Sequence, residues 1–168
     1  QILLILARAG ALRSLWPGRR KALWEVLKQV KQRHCPLNLF DTPRPHPDVV
    51  LPTMDDLEET IMDYKMLGLS HAHHPMSFHR QHLRHQGVLS AKELQDANPF
   101  TTVWVSGIVI CRQRPGSAKG MLFITLEDET GNTNVVVTPP VLAANRAVFT
   151  TEPALSISGP LERRGDVL

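Results

Sequence analysis

An α+β fold, helical up to about Phe100 and built of short strands beyond it, is expected from three features of the sequence. Apolar residues recur at helical spacing in the first part, five prolines crowd between Pro36 and Pro52, and β-branched runs separated by turn residues begin at Thr101. The chain has 168 residues and a mass of 18.8 kDa, room for one ordinary domain or two small ones. At 42% hydrophobic and 21% charged residues it has the composition of a folded protein, which excludes a wholly disordered or collagen-like chain.

In chain order, Ala7 to Leu15 is helix-prone and Trp16-Pro17-Gly18 ends it. A second helix, Arg19 to Arg33, sets Leu23, Val26, Leu27 and Val30 on one face and Arg20, Lys21, Lys28 and Lys31 largely elsewhere. The prolines of 35–52 then favour extended linker chain. Thr53, three residues before Asp56, predicts a capping box for a helix from Met54 to Leu67, with Gly68 as its stop. Pro75 to Gln86 reads as a further helix opened by proline.

Thr101 to Arg114 is read as one long strand bent at Gly107, and Pro115 to Gly120 as a loop. Strands Met121–Glu127 and Thr133–Thr138 flank a hairpin at 128–132. Val141 to Phe149 is a short helix, Ala154 to Ser158 a fourth strand, and Asp166 to Leu168 the opening of a fifth, truncated one. Three strands, a helix and two strands is the order of a five-stranded OB-type β-barrel. The expected organisation is 1–34 basic helical, 35–52 linker, 53–100 helical and 101–168 OB-type.

Charge is unevenly placed. Residues 1–34 hold eight Lys or Arg against one acid, and 35–68 hold two bases against seven acids, within a net charge of +3. The basic head fits either phosphate neutralisation or a solvated helix face. No apolar run approaches the ~18 residues of a membrane span, and the run Ile2 to Ala7 lacks the basic flank of a signal peptide. No export is implied, and a reducing cytoplasm is the default for two distant cysteines, Cys35 and Cys111.

Six histidines lie within fifteen residues, but His79, His82 and His85 are spaced three apart and drift around a helix, so they read as solvated or capping residues. Glu127, Asp128 and Glu129 sit at a hairpin end, where alternation parts neighbouring carboxylates, and read as turn-formers. Phosphate-binding glycine loops and nucleophile elbows do not occur in the sequence. The sequence offers no catalytic residue and no cofactor site.

Binding is the stronger theme. Arg112, Arg114 and Lys119 flank or lie in the loop joining the first two strands, beside the groove that OB folds use for oligonucleotides. Phe123 shares a strand face with Met121 and Thr125, opposite the core face of Leu122, Ile124 and Leu126, and is a candidate base-stacking platform. Asn134 is a base-facing candidate on the third strand, and Trp104 is assigned to packing.

The string Arg112-Gln113-Arg114-Pro115-Gly116-Ser117-Ala118-Lys119-Gly120, continuing into Phe123-Ile124-Thr125-Leu126-Glu127-Asp128-Glu129-Thr130-Gly131, resembles the C-terminal OB region of bacterial error-prone DNA polymerases. Asp63-Tyr64, Leu67-Gly68-Leu69-Ser70 and His74-Pro75 resemble the helical segment before that region. Leu6 to Leu15 with Arg19 to Trp24 resembles the exit of a helix-hairpin-helix region. The resemblance implies single-stranded template DNA as partner in damage-tolerant synthesis, with a sliding clamp and a Y-family-like accessory protein as further candidates. It places the palm carboxylates, and their Mg, upstream of Gln1. Thr138 replaces the family's usual Trp and Pro160 a usual basic residue, a proline that would remove a ladder hydrogen bond. Two other functions compete: an anticodon-binding OB domain of the aspartate or lysine tRNA synthetase type, and a protein-docking module with little affinity for DNA.

Overall fold

The structure, a computed structural model, describes residues 1–33 and 49–162. The expected linker and fifth strand therefore fall largely or wholly outside the described residues. The chain divides into two compact units, 1–72 and 73–168.

In the first unit, α1 (Ile2–Arg8) and α2 (Arg19–Arg33) bury Ala7, Ala22 and Val26 between them, with Leu4, Leu12, Trp16, Leu23 and Val30 around this small core. Helix α1 corrects the expected helix Ala7–Leu15. The apolar run itself is helical, and 9–15 are turns, because Gly10 takes a left-handed φ of 79° under the Arg19 side chain. A Cβ at Gly10 would lie 2.8 Å from Arg19 Nη2.

The third helix, α3 (Asp56–Leu67), ends at Gly68 in the left-handed conformation, as expected. Its capping box is Asp55 with Glu58 rather than Thr53 with Asp56. Glu58 N donates to Asp55 Oδ1 at 2.7 Å and Asp55 N donates back to Glu58 Oε2 at 3.2 Å. Only a side chain as long as glutamate reaches back over a turn, and Asp56 is too short.

Three ion pairs join the basic head to α3: Arg13 with Glu59, Arg19 with Asp63 at 2.5 Å and Arg20 with Glu58 at 2.5 Å. The acids concentrated in 53–68 thus neutralise bases of 1–34 within one unit. For Arg13, Arg19 and Arg20 the positive charge is structural.

The second unit opens with a 3₁₀ turn, Pro75–Phe78, and α4 (Arg80–His85) in place of one helix from Pro75 to Gln86. His74 caps the turn, its Nδ1 accepting from Met76 N at 3.1 Å. Two elements that the sequence reading left out follow. Strand β1 (Val88–Leu89) runs parallel to the next strand, and α5 (Ala91–Asp96) is capped reciprocally by Ser90 and Glu93.

Strand β2 (Thr102–Gln113) is the spine of a curled five-stranded sheet. Its first half pairs with β5 (Ala154–Pro160) and its second half with β3 (Leu122–Asp128), which pairs in turn with β4 (Gly131–Val137). The helix expected at 141–149 is two short ones, α6 (Pro139–Ala144) and α7 (Arg146–Thr151), interrupted at Asn145. With β2, β3, β4, the helical connection and β5 in this order, the unit has the OB-type α+β architecture. Leu94, Leu122, Ile124, Leu126, Phe149 and Leu155 belong to its buried core.

Gly107 is where β2 turns from one set of partners to the other. A Cβ there would stand 2.7 Å from the Glu127 carbonyl oxygen and 3.0 Å from Leu126 Cβ, closer than the packed backbone allows. Gly107→Ala is expected to lower the unfolding free energy of this unit by about 1–3 kcal/mol, read from the denaturant midpoint, whereas a loss under about 0.5 kcal/mol, the scale of a neutral surface change, would show that the contact relaxes freely. Pro160 is accommodated at the end of β5 opposite Thr102, where Leu161 N resumes the pairing by donating to Thr101 O at 2.9 Å.

Candidate nucleic-acid interface

The two faces of β3 differ as expected: Leu122, Ile124 and Leu126 are buried, and Phe123 is 37% exposed on the opposite face. Cross-strand register builds an outer surface around it. Gln113, Phe123 and Val136 lie abreast across β2, β3 and β4, and Cys111, Thr125 and Asn134 form the adjacent row. Thr125 Oγ1 donates to Asn134 Oδ1 at 3.0 Å, fixing the amide beside the ring row. Phe123 offers an aromatic face, and Gln113, Thr125 and Asn134 offer donors and acceptors on the same side. That combination suits stacked, hydrogen-bonded bases.

Arg112 and Arg114 are on another surface. Between Val109 and Cys111 the β2–β3 register shifts, with Ile110 as the extra residue. Such a bulge reverses the alternation that follows it. Arg112 consequently pairs with buried Ile124, on the side away from Phe123. Its Nε donates to Phe149 O at 2.8 Å and its Nη2 to Glu152 O, so the guanidinium holds the last turn of α7 and the residue after it.

Arg112, Arg114 and Arg146 line one cleft between the strand ends and helices α6 and α7. Lys119 is exposed in the connecting loop at a left-handed φ of 50°, followed by Gly120 at 84°. The five sequence candidates thus divide: Phe123 and Asn134 share the sheet face, Arg112 and Arg114 share the cleft, and Lys119 stands in the loop between β2 and β3.

Sequence reasoning missed Arg146. It is the only base between Lys119 and Arg163, an isolation visible in the sequence but meaningless until the helical connection folds back beside β2. Trp104, assigned to packing, is 50% exposed, and Phe100 just before β2 is 83% exposed at a left-handed φ of 67°. The acids lie at the other end of β3, where Asp128 and Glu129 are both paired with Arg80. Among the described residues no group of three His, Cys, Asp or Glu side chains is placed to hold a metal ion, and no helix is long and apolar enough to cross a membrane.

A curled five-stranded sheet in which β2 pairs with both β3 and β5, with a helical connection between β4 and β5, is the architecture of an OB-fold domain. In agreement, the family model described as an OB-fold nucleic acid binding domain, of the tRNA anti-codon type, matches residues 103–167. Over nearly its whole length the chain is similar to error-prone DNA polymerases. It is 41% identical over 165 residues to the error-prone DNA polymerase of Pseudomonas fluorescens (strain Pf0-1), covering 97% of this chain and 16% of the relative. It is 44% identical over 149 residues to that of Bradyrhizobium sp. (strain ORS 278), covering 86% and 13%. It is 36% identical over 177 residues to error-prone DNA polymerase 2 of Agrobacterium fabrum (strain C58), covering 100% and 16%. The chain thus spans about a sixth of the length of these curated relatives.

Proposed function

We propose that the OB unit holds single-stranded template DNA during damage-tolerant synthesis by an error-prone polymerase. The observation that carries this reading is the outer sheet face, where Phe123 lies between polar Gln113, Thr125 and Asn134. In this reading the chain contributes binding, and phosphoryl transfer with its Mg belongs to other parts of such polymerases. The similarity to those enzymes along both units, helical and OB, favours template DNA over an anticodon loop. Docking to a clamp or an accessory protein would be a further role of the same segment.

Fluorescence anisotropy of a labelled single-stranded oligonucleotide, with RNA, tRNA and duplex competitors, tests the proposal. Salt-dependent binding that prefers single-stranded DNA is expected, with a log–log salt slope of about −0.7 for each phosphate neutralised. Phe123→Ala should weaken it by about 1–3 kcal/mol without changing that slope. Unchanged affinity would remove Phe123 from the interface, and preference for tRNA would replace template holding with anticodon binding.

A further inference from the structure

The geometry points to a second ligand site, separate from the Phe123 face: an anion-binding cleft for a nucleoside phosphate. The cleft has a volume of about 390 Å³, and Arg112, Arg114 and Arg146 line it together with apolar Leu122, Leu142 and Phe149. Among the described residues no carboxylate forms an ion pair with any of these three arginines. Three guanidinium groups around one concavity raise its positive potential, and low-dielectric walls focus it, so an entering anion is favoured.

Arg112 is fixed in place before any ligand arrives. Two of its donors are on Phe149 O and Glu152 O, and a guanidinium has five, so others remain available. Arg114 extends past the end of β2, with Nη2 3.8 Å from the position a Cβ would take on Gly120. Arg146 comes from the far side, at the start of α7. Arginine suits phosphate because its planar fork can bind two oxygens at once.

The apolar lining decides the rest of the ligand. Inorganic phosphate would engage the arginines and leave Leu122, Leu142 and Phe149 unused. A phosphate joined to a base-sized apolar body uses both, and the volume lies within the range of about 300–1,000 Å³ typical of small-molecule sites. Such a group is either a free nucleotide or the phosphorylated end of a strand. This inference rests on the cleft alone and does not require the Phe123 face to bind DNA.

Titration of the full chain with a fluorescent deoxynucleoside triphosphate, and with a short oligonucleotide bearing either a 5′-phosphate or a 5′-hydroxyl, tests it. Arg146→Glu is the main variant, since the Arg146 side chain is exposed, and Arg114→Ala is the second. Triphosphate affinity, or the preference for the 5′-phosphate over the 5′-hydroxyl oligonucleotide, should fall about tenfold or more in Arg146→Glu, and Phe123→Ala should leave both readouts unchanged. Binding of the triphosphate alone assigns the cleft to free nucleotide, and a preference for the 5′-phosphate oligonucleotide assigns it to a strand end. Three results would overturn the site: equal binding by wild type and both arginine variants, a loss of triphosphate binding or of the 5′-phosphate preference in Phe123→Ala equal to that in Arg146→Glu, or competition by pyrophosphate as strong as by the triphosphate.

Discussion

Asp128→Ala is expected to remove about 3–5 kcal/mol from the stability of the OB unit. The carboxylate is buried, and it serves three segments at once. Oδ2 accepts from Arg80 Nη2 at 3.0 Å and from Ala91 N, at the start of α5, at 2.8 Å. Oδ1 accepts from Thr130 N and Thr130 Oγ1, each at 2.7 Å, and from Gly131 N at 3.0 Å. Alanine would leave Arg80, itself buried, with Glu129 as its remaining ion-pair partner among the described residues and would strip the hairpin and the start of α5 of their acceptor. A native domain is stable by only about 5–15 kcal/mol, so the variant should be largely unfolded in mild denaturant. Asp128→Asn keeps one oxygen and loses the charge, and should fall between. Glu127→Ala, at a half-exposed position, serves as control and should shift stability by no more than about 0.5 kcal/mol. Hydrogen exchange of β3 and β4 amides reads the effect. An Asp128→Ala loss as small as the control's would show that the ion pair costs as much to bury as it returns.

The hairpin at 128–131 was legible because Asp, Thr and Gly are turn residues wherever they occur between two β-branched runs. The bend at Gly107 was legible for a similar reason: a lone glycine inside a strand marks close backbone approach. What escaped was the partner of each local signal. The acids Asp128 and Glu129 could be read as turn-formers but not as the partners of Arg80, about fifty residues away in the chain. Ser90-Ala91-Lys92-Glu93 is a capping box in plain view, yet six residues of helix give too short a periodic pattern to announce α5. The division of the binding candidates hinged on one residue. Simple alternation from Ile108 puts Arg112 on the outer face beside Phe123, and the bulge at Ile110 sends it to the cleft. A bulge is set by how two strands meet, which neither strand's sequence states alone.

In the first unit, Asp63→Asn should cost about 3 kcal/mol at neutral pH, and the difference from wild type should shrink as the solution is acidified below about pH 4. Asp63 Oδ1 takes Arg19 Nη2 at 2.5 Å and Oδ2 takes Ser70 Oγ at 3.0 Å, and Arg19, only 4% exposed, also donates to Glu59 O at 3.2 Å. Burial by itself would raise the Asp63 pKa. The hydrogen bonds from Arg19 and Ser70 and the charges of Arg19 and Arg13 outweigh it and hold the carboxyl below its ordinary value of 3.8. The sign follows from which state takes up the proton first. As pH falls the unfolded chain protonates at the ordinary value and the folded chain only lower, so the ion pair's contribution is complete above that range and is lost as pH falls through the folded pKa. Asparagine has no such titration, and it leaves the Arg19 guanidinium buried without its counter-charge, in the space that the missing Cβ of Gly10 opens for it. Exchange of α2 and α3 amides from pH 7 to pH 3 would show the two curves converging. Parallel curves would mean that Asp63 stabilises the unit by shape and hydrogen bonding rather than by charge. The double variant Arg19→Met, Asp63→Leu separates the two: burying an apolar pair of similar volume should recover most of the loss, because an ion pair's charges cost nearly as much to desolvate as their attraction returns.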